Sequence, residues 1–269
     1  MNERRGAETQ RRREEQFKRN LLRLSLRLCV SAPLRLFLLA LLLLSLTPML
    51  GCDRTERATT ADANDADASM PAASTKSEVS RTKPRVVFLG DSLTAGYGVE
   101  RDEAYPAIVT AMLKLEGLEM DAINAGQSGD TTAGGLRRLD WQLKQKPDII
   151  VIGLGGNDGL RGVDQRDSEE NLRQIIMKSR AAGAEVLLLG MMIPPNYGPE
   201  YTKQFQEIYP KLAKELNVPL VPFLLQNVGG EAKYNQRDGI HPTPEGHKIV
   251  AKNVEPHLRD LLRALPPKP

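Results

Sequence analysis

The chain has 269 residues, 41% of them apolar and 26% charged, with 37 Lys and Arg against 34 Asp and Glu. That is a globular composition, and the basic excess sits at the front: residues 1–52 hold ten of the basic and four of the acidic side chains, leaving the remainder at net −3. A body so balanced lacks the basic face a nucleic-acid partner requires. Both cysteines, Cys29 and Cys52, also lie at the front, which excludes an internal disulfide or thiol chemistry from the rest.

Residues 11–19, RRREEQFKR, are strongly basic, and residues 36–50, LFLLALLLLSLTPML, carry no charge. Fifteen residues are short for a membrane span, which needs about 20, so residues 1–52 read as a signal peptide. Its end, MLGC at 49–52, resembles the bacterial lipoprotein cleavage box, whose cysteine is lipidated and becomes the new N-terminus. The resemblance implies lipidation of Cys52 and anchoring on the periplasmic side of a bacterial cell envelope. Met49 and Leu50 depart from the usual Leu and small residue, which leaves a plain cleaved signal or an uncleaved anchor open. Residues 53–84 are rich in Ala, Asp, Ser and Thr and nearly without large apolar side chains. They cannot bury enough surface to offset their ordering entropy, so a disordered tether is expected. The folded domain is expected over 85–269, enough chain for one core.

Within it, apolar runs alternate with helical patterns. Residues 85–89, RVVFL, predict a strand bounded by Pro84 and Gly90. Residues 104–115 carry helical spacing, 119–124 alternate as a strand does, and 132–144 are helical up to the stop at Pro147. Residues 148–154, DIIVIGL, predict a second buried strand. A helix over 168–182 takes Ser168 as its N-cap, and AEVLLL at 184–189 is another strand. A helix over 200–216, a short strand over 218–221, and a last helix over 243–262 with Thr243 as N-cap and Pro244 in its first turn complete the pattern. Continuous Val/Ile/Leu strands separated by helices mean an α/β fold with a parallel sheet covered on both faces. Ligands then bind outside the carboxyl ends of the strands.

Polar residues gather at those ends. GDS at 90–92 follows the first strand, AGQSGDTTAGG at 125–135 the second, and GGNDG at 155–159 the third, while DGIHPTPEGH spans 238–247. A serine hydroxyl needs a histidine to take its proton, the imidazolium needs a carboxylate, and the developing alkoxide needs fixed donors. Ser92, His241, Asp238 and the side chain of Asn157 supply those types. GDSLTAGYGV, NAGQSGDTT, GGNDGLRG and DGIHPTPEGH together resemble the four blocks of the SGNH (GDSL-type) hydrolase superfamily. Within it the chain is similar to the branch of bacterial periplasmic acyl-CoA thioesterases, lysophospholipases and arylesterases, over nearly all of 85–262. The resemblance implies a flavodoxin-like, three-layer α/β/α fold with a five-stranded parallel sheet. It implies Ser92 as nucleophile, His241 as base and Asp238 as its partner. It also implies an oxyanion hole from the Ser92 and Gly129 N–H groups and the Asn157 amide, with Gly129 and not Gly126 as the donor glycine.

Plainer readings stand beside these. Ser92 is also placed to be a helix N-cap. Asp91 reads as a carboxylate that fixes the turn, and Asp130 and Asp158 as loop scaffolding. His247 and His257 fall on the last helix, facing solvent or packing. Asp238 and His241 are too few ligands for a metal, GLGGNDG lacks the third glycine of a dinucleotide fingerprint, and no P-loop lysine motif exists. The apolar, proline-stiffened segment 191–201 is expected to wall an acyl pocket through Ile193, Pro194 and Tyr197. The expected protein is a monomeric serine hydrolase of acyl esters or thioesters, without cofactor, acting on a small-molecule or lipid ester. A deacetylase of polysaccharide or small esters, and a lipoprotein that binds lipid or glycan without turnover, are the alternatives.

Overall fold

Val86, Val87, Phe88 and Leu89 are all fully buried in the first strand, β1 (Arg85–Gly90), because neither face of it meets water. The same holds for β3 (Ile149–Gly153), IIVIG, and for all but the first residue of β4 (Glu185–Leu189). The computed structural model describes residues 82–266; the signal peptide, Cys52 and all but the end of the expected tether lie outside them. With β2 (Asp121–Gly126) and β5 (Leu220–Val221), these strands form one sheet in the order β2-β1-β3-β4-β5. Every pairing is parallel. This is the flavodoxin-like order.

β2 is an edge strand, and its alternating burial explains why it reads differently from the central three. It runs two residues later than its sequence pattern suggests, because its ladder with β1 is fixed from Arg85 opposite Asp121 to Gly90 opposite Gly126. β5 is shorter than expected. Pro219 and Pro222 flank it, and neither has an N–H for the ladder.

Helices α1 (Ser92–Ala95) and α2 (Tyr105–Leu115) lead from β1 to β2, and α3 (Thr132–Leu143) leads back to β3. Next come α4 (Gly156–Arg161), α5 (Gln165–Ala181), α6 (Pro199–Leu216) and α7 (Pro244–Ala264). α2 packs against α7, while α3 packs against α5 and α5 against α6. Right-handed crossovers running in opposite directions from β1 place these two groups on opposite faces, giving three layers.

Two local expectations are corrected. Ser168 does not cap α5. The helix starts at Gln165, and the Asp164 carboxylate accepts from the Arg166 N–H. Ser168 is buried one turn inside, donating to Asp158 Oδ1 and to the Asp164 carbonyl. Nor does Ser92 cap α1: Asp91 does, accepting from the Leu93 N–H at 3.0 Å. Thr243 caps α7 as expected, with Pro244 in the first turn.

Candidate active site

The chain leaves β1 toward β2 on one side and returns to β3 on the other. The crevice between the carboxyl ends of β1 and β3 is therefore the switch point of the sheet. Asp91 and Ser92 leave β1 there. Because Asp91 does the capping, Ser92 Oγ points elsewhere, and it lies 2.9 Å from His241 Nε2. His241 Nδ1 lies 2.7 Å from Asp238 Oδ2. The other oxygen of Asp238 accepts from the backbone N–H groups of Ile240 and His241, each at 3.0 Å. Burial works against the Asp238 charge, but the His241 ring and the two N–H groups outweigh it and hold the carboxyl at about 2.

The expected donors gather on the same crevice. Gly129 lines it with φ +79°, a conformation glycine takes without strain. Gly126 is differently employed. It ends β2 under α1, where an added Cβ would stand 2.2 Å from the Ala95 backbone nitrogen. Among the described residues, neither the Ser92 nor the Gly129 N–H donates to a protein acceptor. Asn157, in the first turn of α4, lines the crevice and points Nδ2 at Asp91 Oδ2, 3.4 Å away.

Ser92, His241, Gly129 and Asn157 open into one cavity of about 610 Å³. Its apolar walls come from Met191, Met192, Ile193 and Pro194 on one side and Phe223 and Leu225 on another. Ile193 and Pro194 stand where the sequence suggests. Tyr197 is not among the residues lining the cavity; its hydroxyl donates to the carbonyl of Leu160, which is.

Several participants were not singled out by sequence reasoning. The Tyr97 ring lies against that of His241, centroids 4.6 Å apart. Gln236 ties the two loops together, donating to the carbonyls of Tyr97 and Pro242. Arg138 bridges Asp130 to the carbonyls of Gly90 and Ala125, bracing the ends of β1 and β2. Asp158, by contrast, was expected as loop scaffolding; it accepts from the Thr132 N–H and hydroxyl and from Ser168, fixing α4 to α3 and α5. Tyr97 and Arg161, which contacts Asn157, lie inside the quoted blocks, but nothing in their spacing marks them.

Two buried titratable groups beneath the site shift in opposite directions. Burial raises Asp91 from its ordinary 3.8 to about 6, despite the Leu93 N–H and His241. Burial lowers His247 from 6.5 to about 4; its Nδ1 accepts from the Tyr105 N–H. His247 thus packs rather than facing solvent, 1% exposed. Its unfolded form holds a proton more tightly, so its contribution to stability is lost as pH falls from 6.5 through 4. Asp91 has the reverse sign: its folded form holds the proton more tightly, so stability falls as pH rises from 3.8 through 6. The two slopes oppose each other across about pH 4 to 6. His247→Gln should remove one of them. Its stability relative to wild type is expected to rise by about 3 kcal/mol between pH 7 and pH 4 in paired denaturant titrations. An unchanged difference would mean that His247 is not buried neutral.

A model of the GDSL-like Lipase/Acylhydrolase family matches residues 88–249. Esterase TesA of Pseudomonas aeruginosa is 43% identical over 178 residues, covering 66% of this chain and 89% of that protein. "Thioesterase 1/protease 1/lysophospholipase L1" of Escherichia coli K12 is 42% identical over 178 residues, covering 66% and 84%. The crystal structure of the psychrotrophic esterase EstA from Pseudoalteromonas sp., inhibited by monoethylphosphonate, superimposes with a TM-score of 0.64. It is 33% identical, covering 67% of this chain and all of that one. With a matching family model over more than half its length and relatives above 40% identity, the chain belongs to the GDSL-like lipase/acylhydrolase family.

Proposed function

We propose that the chain hydrolyses carboxylic acyl esters, and thioesters as a relative's name suggests, through a covalent acyl-enzyme. The observation that carries this reading is the unbroken run of hydrogen bonds from Asp238 through His241 to Ser92 at the edge of an apolar cavity. Ser92 Oγ bonds to the acyl carbon as its proton passes to His241 Nε2. The carbonyl oxygen, now negative, rests on the Ser92 and Gly129 N–H groups and on Asn157 Nδ2. The bond to the leaving alcohol or thiol then breaks, and His241 returns the proton to it. Water attacks the acyl-enzyme by the same route, giving its proton to His241, and the acid leaves with Ser92 restored. The apolar walls suit an alkyl chain better than a sugar.

The test is turnover of p-nitrophenyl esters from acetyl to palmitoyl, and of acyl-CoA, with Ser92→Ala as control. Serine-dependent turnover peaking at medium or long chains supports the reading. Activity on acetyl alone would favour a deacetylase, and a serine inert to fluorophosphonate with no turnover would favour a binding protein. From the resemblance of residues 49–52 to a lipoprotein cleavage box we further propose that the enzyme lies on the periplasmic side of the cell envelope, held through a lipidated Cys52. Cys52→Ala is then expected to move activity from the membrane pellet to the soluble fraction. Activity that stays in the pellet would place the anchor elsewhere.

A further inference from the structure

An amide can present either its oxygen or its nitrogen to a substrate, and only its neighbours decide which. Asn157 has a charged neighbour at each end. Asp91 Oδ2 lies 3.4 Å from Nδ2, and Arg161 Nη2 lies 3.4 Å from Oδ1. The guanidinium has only donors and so accepts nothing from an amide nitrogen. A flip of Asn157 would set N–H against N–H on one side, and two oxygens together on the other whenever Asp91 is ionised. The same Arg161 nitrogen donates to the Gly129 carbonyl at 2.9 Å, which anchors it across the crevice from α4 to the loop after β2. Arg161 ends α4 and Asn157 lies in its first turn, so the pair sits at i and i+4 on one helix face. Arg161 is not among the residues that line the cavity.

We infer that Arg161 is a positioning residue: anchored on Gly129, it holds the Asn157 amide with its nitrogen toward the reacting carbonyl. This rests on the reading of Asn157 as an oxyanion donor. At 3.4 Å both contacts to the amide are weak, so it is the opposite charge at its two ends that selects the orientation. Arg161 thereby acts on the transition state and not on substrate affinity.

The experiment is a double-mutant cycle on p-nitrophenyl butyrate, using Arg161→Met, Arg161→Lys, Asn157→Ala and the Arg161→Met/Asn157→Ala pair, with a thermal melt of each. Asn157→Ala should lower kcat by about 10²–10³. Arg161→Met should lower kcat roughly 10- to 30-fold with KM within about twofold, Arg161→Lys should restore part of that, and on the Asn157→Ala background the further loss should be under about threefold. An equal loss on both backgrounds, a kcat unchanged in Arg161→Met, or a loss carried in KM would overturn the inference. If Asn157→Ala itself has no effect on kcat, the oxyanion reading fails, and the inference with it.

Discussion

Ser92→Ala is expected to lower kcat on p-nitrophenyl esters by about 10⁵–10⁶ while KM and Tm stay near wild type. The size follows from chemistry: without Oγ there is no acyl-enzyme, and the remaining donors stabilise only a direct attack by water. That stability should survive follows from the fold. Capping of α1 belongs to Asp91, so truncating Ser92 leaves the helix start intact. Among the described residues, the side-chain bond lost is the one to His241 Nε2, whose ring keeps Asp238 on its other side. His241→Ala should cost about as much, and the double variant little more than either alone, because the two act as a unit. A purified Ser92→Ala protein retaining more than a few per cent of kcat would remove Ser92 from the mechanism. A collapsed melting transition would show the serine to be structural.

The sequence makes some of this legible and conceals the rest for identifiable reasons. β1, β3 and β4 read directly because strands buried on both faces tolerate nothing but apolar side chains. α4 does not read as a helix. Gly155, Gly156 and Gly159 carry poor helix propensity, and tertiary contacts require two of them: a Cβ at Gly159 would stand 2.5 Å from Ile193, and one at Gly155 2.2 Å from the Tyr209 hydroxyl. The α5 start misleads because Ser168, followed by two glutamates, imitates a cap, while the true cap lies at Asp164. Ser92 and His241 are 149 residues apart, so no spacing pairs them; only the strand exits and the resemblance of four blocks do. Tyr97, Arg138 and Arg161 are invisible for a related cause. Their roles arise from which carbonyls and rings the fold sets beside them, and residue type alone carries none of that. Tyr197 stands outside the cavity lining, with its hydroxyl on the Leu160 carbonyl, a contact that residue type alone does not announce.

Asp238→Asn should lower kcat by about 10⁴ at neutral pH without unfolding the protein. The reason is the fixed surroundings of the carboxylate. One oxygen takes the N–H groups of Ile240 and His241, two donors that an asparagine oxygen can still satisfy. Once that oxygen is so placed, the new NH₂ must face His241 Nδ1. An N–H there donates to Nδ1 and drives the ring proton to Nε2, opposite Ser92 Oγ. A ring already protonated at Nε2 cannot take the serine proton, so the variant is folded and in the wrong tautomer. In the wild type this cannot happen at working pH, since the same contacts keep the carboxyl ionised down to about 2. Nitrogen NMR of the imidazole should find the proton on Nδ1 in the wild type and on Nε2 in Asp238→Asn. A kcat within tenfold of wild type, with the tautomer changed, would mean that Asp238 only shapes the loop and that His241 acts without it.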